Sequence, residues 1–101
     1  MLPLVDTQRL LYDWRMKSKH KRTLAAIYTA PTPASIPFAG ILALFTALGA
    51  EIEEKEGSRI KVTLNGITWR AHRPHPGKDA KKYQVEEAKE FLNLAGVAHE
   101  K

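Results

Sequence analysis

The sequence predicts an α+β domain, a three-stranded antiparallel sheet covered on one face by two helices, with a helical extension at the amino terminus. Three observations carry this. Two alternating runs, Ile60/Val62/Leu64 and Ile67/Trp69/Ala71, flank Asn65-Gly66, the strongest short-range hairpin signal. Apolar residues recur at helical spacing before the hairpin (Phe38, Ile41, Leu42, Phe45, Leu48) and after it (Val85, Ala88, Phe91, Leu92, Ala95). A meander with one apolar face needs cover, and these two helices supply it.

The chain has 101 residues and a mass of 11.4 kDa, enough for one modest core that buries about 60–65% of the unfolded surface. Residues 1–34 read as the helical extension with a Pro-containing connector, and 35–98 as the α-β-β-β-α unit. In the extension, Leu10, Leu11 and Trp14 form one short apolar stripe and Leu24, Ile27 and Tyr28 a second. Ser18 is placed to cap the second helix. Ala30-Pro31-Thr32-Pro33-Ala34 then breaks any helix. Ser35 is expected to cap the next helix, with Pro37 in its first turn and Gly49 ending it in the left-handed conformation. Ala50–Glu56 is the first strand, with Ile52 as its core residue and its glutamates at a solvated end.

The hairpin comes next, and its two-residue turn fixes the register. Leu64 faces Ile67, Val62 faces Trp69 and Ile60 faces Ala71 on the core side. Thr63/Thr68, Lys61/Arg70 and Arg59/His72 pair on the other face. Residues 73–78 form a loop, and the last helix runs from Lys82 to Leu94 and stops at Gly96.

Charge narrows the function. The net charge is +5, but residues 57–82 hold seven basic side chains and one acidic, while residues 35–56 hold one basic and four acidic. Like charges directly opposite each other, as Lys61 and Arg70 must be, cost stability, which favours an anionic partner over a merely solvated face. With no cysteine in the chain, disulfides, thiolate metal sites and a cysteine nucleophile are excluded. No apolar run is long enough for a membrane helix, and basic residues follow rather than precede the apolar amino-terminal ones, so no signal peptide is read and a cytoplasmic location is expected.

No HExxH, GxSxG or phosphate-cradling glycine loop is present, and no carboxylate pair is expected near the basic patch. With Asp79 the lone acid between residues 57 and 82, a two-metal centre is disfavoured. His72 and His75 lack a third ligand, so neither a metal nor any other cofactor is expected. His20 and His99 read as exposed. Metal-free RNA cleavage remains. An imidazole can take the 2′-hydroxyl proton or protonate the leaving 5′ oxygen, and guanidinium groups stabilise charge building on phosphorus. His72 beside Arg59, Arg70 and Arg73 meets those needs.

From Ile36 to Val97 the sequence resembles the HicA family of bacterial toxins. The stretches that carry the resemblance are Ala47-Leu48-Gly49-Ala50, Gly57-Ser58, Arg73-Pro74-His75-Pro76-Gly77-Lys78 and Phe91-Leu92-Asn93-Leu94-Ala95-Gly96-Val97. The resemblance implies a double-stranded-RNA-binding-domain-like fold and an mRNA interferase neutralised by a HicB-type antitoxin. In that family the Gly-Ser pair is followed by a histidine regarded as catalytic, and here that position is Arg59. Arginine stays protonated and makes a poor general base. Two readings follow. In one, His72 acts from the neighbouring strand with Arg59 and Arg70 on the phosphate, while Lys61, Arg73, His75, Lys78, Lys81 and Lys82 hold the RNA backbone; His75, which fits the family's loop histidine, is a further candidate for the catalytic role. In the other, the domain binds RNA, or only an acidic antitoxin, without cutting.

Overall fold

The structure is a computed structural model that describes residues 16–97. Along it run α1 (Ser18–Ile27), α2 (Phe38–Ala47), β1 (Glu51–Glu54), β2 (Arg59–Leu64), β3 (Ile67–His72) and α3 (Lys82–Leu94). The stripe at Leu10, Leu11 and Trp14 and the expectation for His99 lie outside the described residues. The sheet is antiparallel in the order β1-β2-β3. This is the α+β arrangement expected, with β1 shorter than Ala50–Glu56 and Ile52 only partly buried.

The hairpin register is the one its turn dictates, with Ile60↔Ala71, Val62↔Trp69 and Leu64↔Ile67 facing the helices. Asn65 and Gly66 both have positive φ, 49° and 79°, as a type I′ turn requires. The Asn65 side-chain amide also donates to the carbonyl of Ala95 at 2.8 Å, fastening the hairpin tip to the end of α3.

Phe45 lies at the centre of the core, fully buried. Its ring stands edge-on to Trp69 with centroids 5.8 Å apart, and 5.2 Å from Phe91. Trp69 also meets Phe38 at 6.1 Å, so one aromatic cluster joins the sheet to both covering helices. The Trp69 indole N–H donates to Glu87 Oε1 at 3.0 Å, satisfying the single polar atom of a ring that is otherwise buried.

Two helix starts differ from expectation. Lys17, not Ser18, is the N-cap of α1, and Pro37, not Ser35, is the N-cap of α2; neither makes a side-chain cap bond. At α2 the cause is tertiary. The Phe38 N–H donates to Lys78 and the Ala80 N–H donates to Ile36, at 3.0 and 2.7 Å, so Ile36–Phe38 is held extended against Lys78–Ala80 and Ser35 falls outside the helix. The carboxyl end of α2 is as expected. Gly49, at φ 99°, donates to Thr46 and Ala50 donates to Phe45, closing a Schellman cap.

Helix α1 packs on α2 and α3 through Leu24 and Ile27. Tyr28 OH bonds Asn93, and Thr32 Oγ1 bonds Glu86 at 3.0 Å, so the chain before α2 is tied along α3. All three helices therefore lie on one side of the sheet. No helix among the described residues is long and apolar enough to cross a membrane.

Candidate nucleic-acid interface

The other side of the sheet carries no element among the described residues. Alternation along β2 and β3 places Arg59, Lys61, Thr63, Thr68, Arg70 and His72 there, paired as Arg59↔His72, Lys61↔Arg70 and Thr63↔Thr68. The Arg73 N–H donates to Ser58 at 2.8 Å, so the neighbouring Arg59–His72 pair is a non-hydrogen-bonded one, the kind whose side chains come closest. A hollow of about 340 Å³ opens at this end of the sheet, lined by Lys55, Arg59, Ile60, Arg70, Ala71 and His72. His72, Arg59, Arg70 and Lys55 thus line one space large enough for a phosphodiester.

Lys55 is absent from the set read from sequence. Its backbone N–H donates to Arg59 at 2.9 Å, extending the β1–β2 ladder by one residue and bringing its side chain to the hollow. Arg59 Nε donates to the Glu56 carbonyl at 3.3 Å, which directs that guanidinium toward the β1–β2 turn.

The glutamates of β1 are more than the solvated strand end expected of them, because they pair with cations of the basic segment. Strand pairing sets Glu53 opposite Lys61, and its carboxylate lies 3.2 Å from Lys55 Nζ and 3.8 Å from Lys61 Nζ. The Lys55 hydrogen bond and charge, then Lys61 and Arg70, hold the Glu53 carboxyl below the usual range. Glu54, one residue on, takes both Nε and Nη2 of Arg73. Local sequence windows hide the contacts to Lys61 and Arg73 because they join residues 8 and 19 positions apart.

Of the basic residues singled out, the hollow gathers Arg59, Arg70 and His72. Lys61 borders Glu53. Arg73 is held by Glu54, on the side of the sheet opposite His72 as strand alternation requires. His75, Lys78, Lys81 and Lys82 are exposed on the following loop and the start of α3, outside the hollow's lining. The exposed Lys19, Lys21 and Arg22 belong to α1 and the exposed Lys17 caps it, so all four fall on the helical side.

His20 is buried, 9% exposed, not at the surface. It lies on the same face of α1 as Leu24 and Ile27, and burial together with Lys19 and Lys17 lowers its pKa from 6.5. Among the described residues, no three His, Cys, Asp or Glu side chains come together as a metal site would need.

Gln84 is the other residue that sequence reasoning passed over. It is 1% exposed. Its side-chain oxygen accepts from the Lys81 N–H at 2.9 Å, and its side-chain nitrogen donates to the His72 carbonyl at 2.7 Å. Helical spacing with Ala88, Phe91, Leu92 and Ala95 places it on the buried face, and Gln at the third helical position is a capping-box residue.

Fold and surface together define a small α+β domain with helices on one side and an open, basic sheet on the other. The family model described as the HicA toxin of bacterial toxin-antitoxin matches residues 40–97, over half of the chain, and the chain belongs to that family. The match takes in the sheet, α3 and most of α2, and leaves α1 outside. Neither curated proteins nor solved structures yield a match.

Proposed function

We propose that this toxin is an mRNA interferase that cuts RNA without a metal ion, and that a HicB-type antitoxin neutralises it by covering the basic sheet face. The observation that carries the reading is His72 directly opposite Arg59 beside a hollow bordered by Arg70 and Lys55. In the reaction, the 2′ oxygen attacks phosphorus as His72 accepts its proton. The P–O5′ bond breaks, the 5′ oxygen takes a proton from water, and a 2′,3′-cyclic phosphate remains. Arg59 and Arg70 stabilise the charge on the phosphorane. Lys61, Lys78, Lys81, Lys82 and His75 hold the flanking backbone, and Arg73 joins them once RNA phosphate displaces Glu54. In this reading Arg59 stands at the position of the family's histidine, and the base acts from the opposite strand.

The test is purified full-length protein with a single-stranded RNA, alongside induction in a bacterial host. Wild type is expected to produce cyclic-phosphate ends and to arrest growth. His72→Ala is expected to cut about 10²–10⁴-fold more slowly, the range for a lost general base. Intact RNA with wild type would overturn cleavage. Binding that still weakens steeply with salt would then mark a non-catalytic RNA-binding module, and no RNA binding at low salt a module for the antitoxin alone.

A further inference from the structure

We propose that Gln84 is a positioning residue for His72. The inference rests on the proposed cleavage. It concerns the end of β3, an edge strand whose outer side has no partner strand among the described residues. On its inner side, the backbone at His72 is fixed by the ladder to β2, with Ile60↔Ala71 before it and the Arg73 N–H to Ser58 after it. On its outer side, the His72 carbonyl points away from β2, and the Gln84 amide donates to it at 2.7 Å. The other half of that amide is anchored at the Lys81 N–H, 2.9 Å away, and the side chain is buried within the helix–sheet contact. One amide therefore joins the first turn of α3 to the residue carrying the proposed base.

A residue needed only to start α3 would need only an acceptor, as Ser, Asp or Glu provide. The acceptor of Gln84 does that, while its donor serves His72. Glutamate separates the two roles. Gln84→Glu keeps the acceptor for Lys81 and, when ionised, loses the donor to His72; when protonated it regains a donor, and burial favours that neutral form.

The experiment uses the full chain and an RNA oligonucleotide, at a temperature where circular dichroism shows each variant folded. Gln84→Leu is expected to lower kcat about tenfold, in line with the cost of a small misplacement of a catalytic group, with KM little changed. Gln84→Glu is expected to share the defect at pH 8, and its kcat relative to wild type is expected to climb as pH falls toward 5.5. Wild-type kcat in folded Gln84→Leu, or a flat ratio for Gln84→Glu, would overturn the proposal. A measurement independent of activity is the NMR nuclear Overhauser contact between the His72 ring and the Arg59 side chain. It is expected to weaken in Gln84→Glu at pH 8, and unchanged contacts would overturn positioning. Should wild type fail to cut RNA, the proposed function falls, and the NMR comparison still decides whether Gln84 places His72.

Discussion

Arg73 reaches from the end of β3 to Glu54 on β1, the opposite edge of the sheet, and meets both carboxylate oxygens through Nε and Nη2. The pair is exposed, so its worth to stability is small. Its consequence lies in binding, because it keeps one cation of the basic segment neutralised in the free protein. Glu54→Gln is expected to tighten RNA binding at low salt and to steepen the slope of log K against log salt by about 0.7, the increment for one added phosphate contact on a single strand. Filter binding over a salt series measures it. An unchanged slope would mean that Arg73 stays clear of RNA even when released.

His20 supplies a pH dependence whose sign is fixed by its surroundings. Its folded pKa lies below the unfolded 6.5, so near pH 6 the unfolded chain binds the proton more readily. Stability is complete above 6.5 and is lost as pH falls from there toward the folded pKa. Urea midpoints at pH 7.5 and 5.5 are expected to drop for wild type. His20→Gln is expected to show a smaller drop, and an equal one would place the acid sensitivity elsewhere.

Phe45 is the aromatic centre of the core. Phe45→Ala is expected to cost about 3–5 kcal/mol in urea unfolding, a large share of the ~5–15 kcal/mol typical of a domain. A loss under about 1 kcal/mol would mean that Trp69 and Phe91 close the space, outside the usual range for such truncations.

The Asn65-Gly66 turn gives a backbone test. Gly66 has φ 79°, and a Cβ built there meets nothing within 4 Å, so Gly66→Ala is expected to cost only conformational strain, about 1–2 kcal/mol. Equilibrium unfolding measures it, and a neutral result would show that the turn can change type without cost.

What was legible in sequence divides along physical lines. The hairpin register and the pairing of Arg59 with His72 follow from one dipeptide, because a two-residue loop leaves no freedom in alignment. The ends of α2 and α3 at Gly49 and Gly96 were legible for the same local reason. The start of α2 was not, because Lys78 and Ala80, some forty residues away, take the backbone groups of Phe38 and Ile36. Glu53 and Glu54 read as a charged strand end until β1 set them beside Lys61 and Arg73. Gln84 and His20 escaped because polarity suggested the surface, although helical spacing placed both on buried faces.

The bond from Asn65 to Ala95 and the bond from Gln84 to His72 clamp the same two elements at opposite ends, the tip of the hairpin to the tail of α3 and the root of β3 to its head. Hairpin and helix are thus tied to each other at both ends. Amide hydrogens of β3 and α3 are expected to exchange together, with one shared opening energy, as a single cooperative unit. A partner that pulls on the basic face would then meet a plate that yields all at once or not at all.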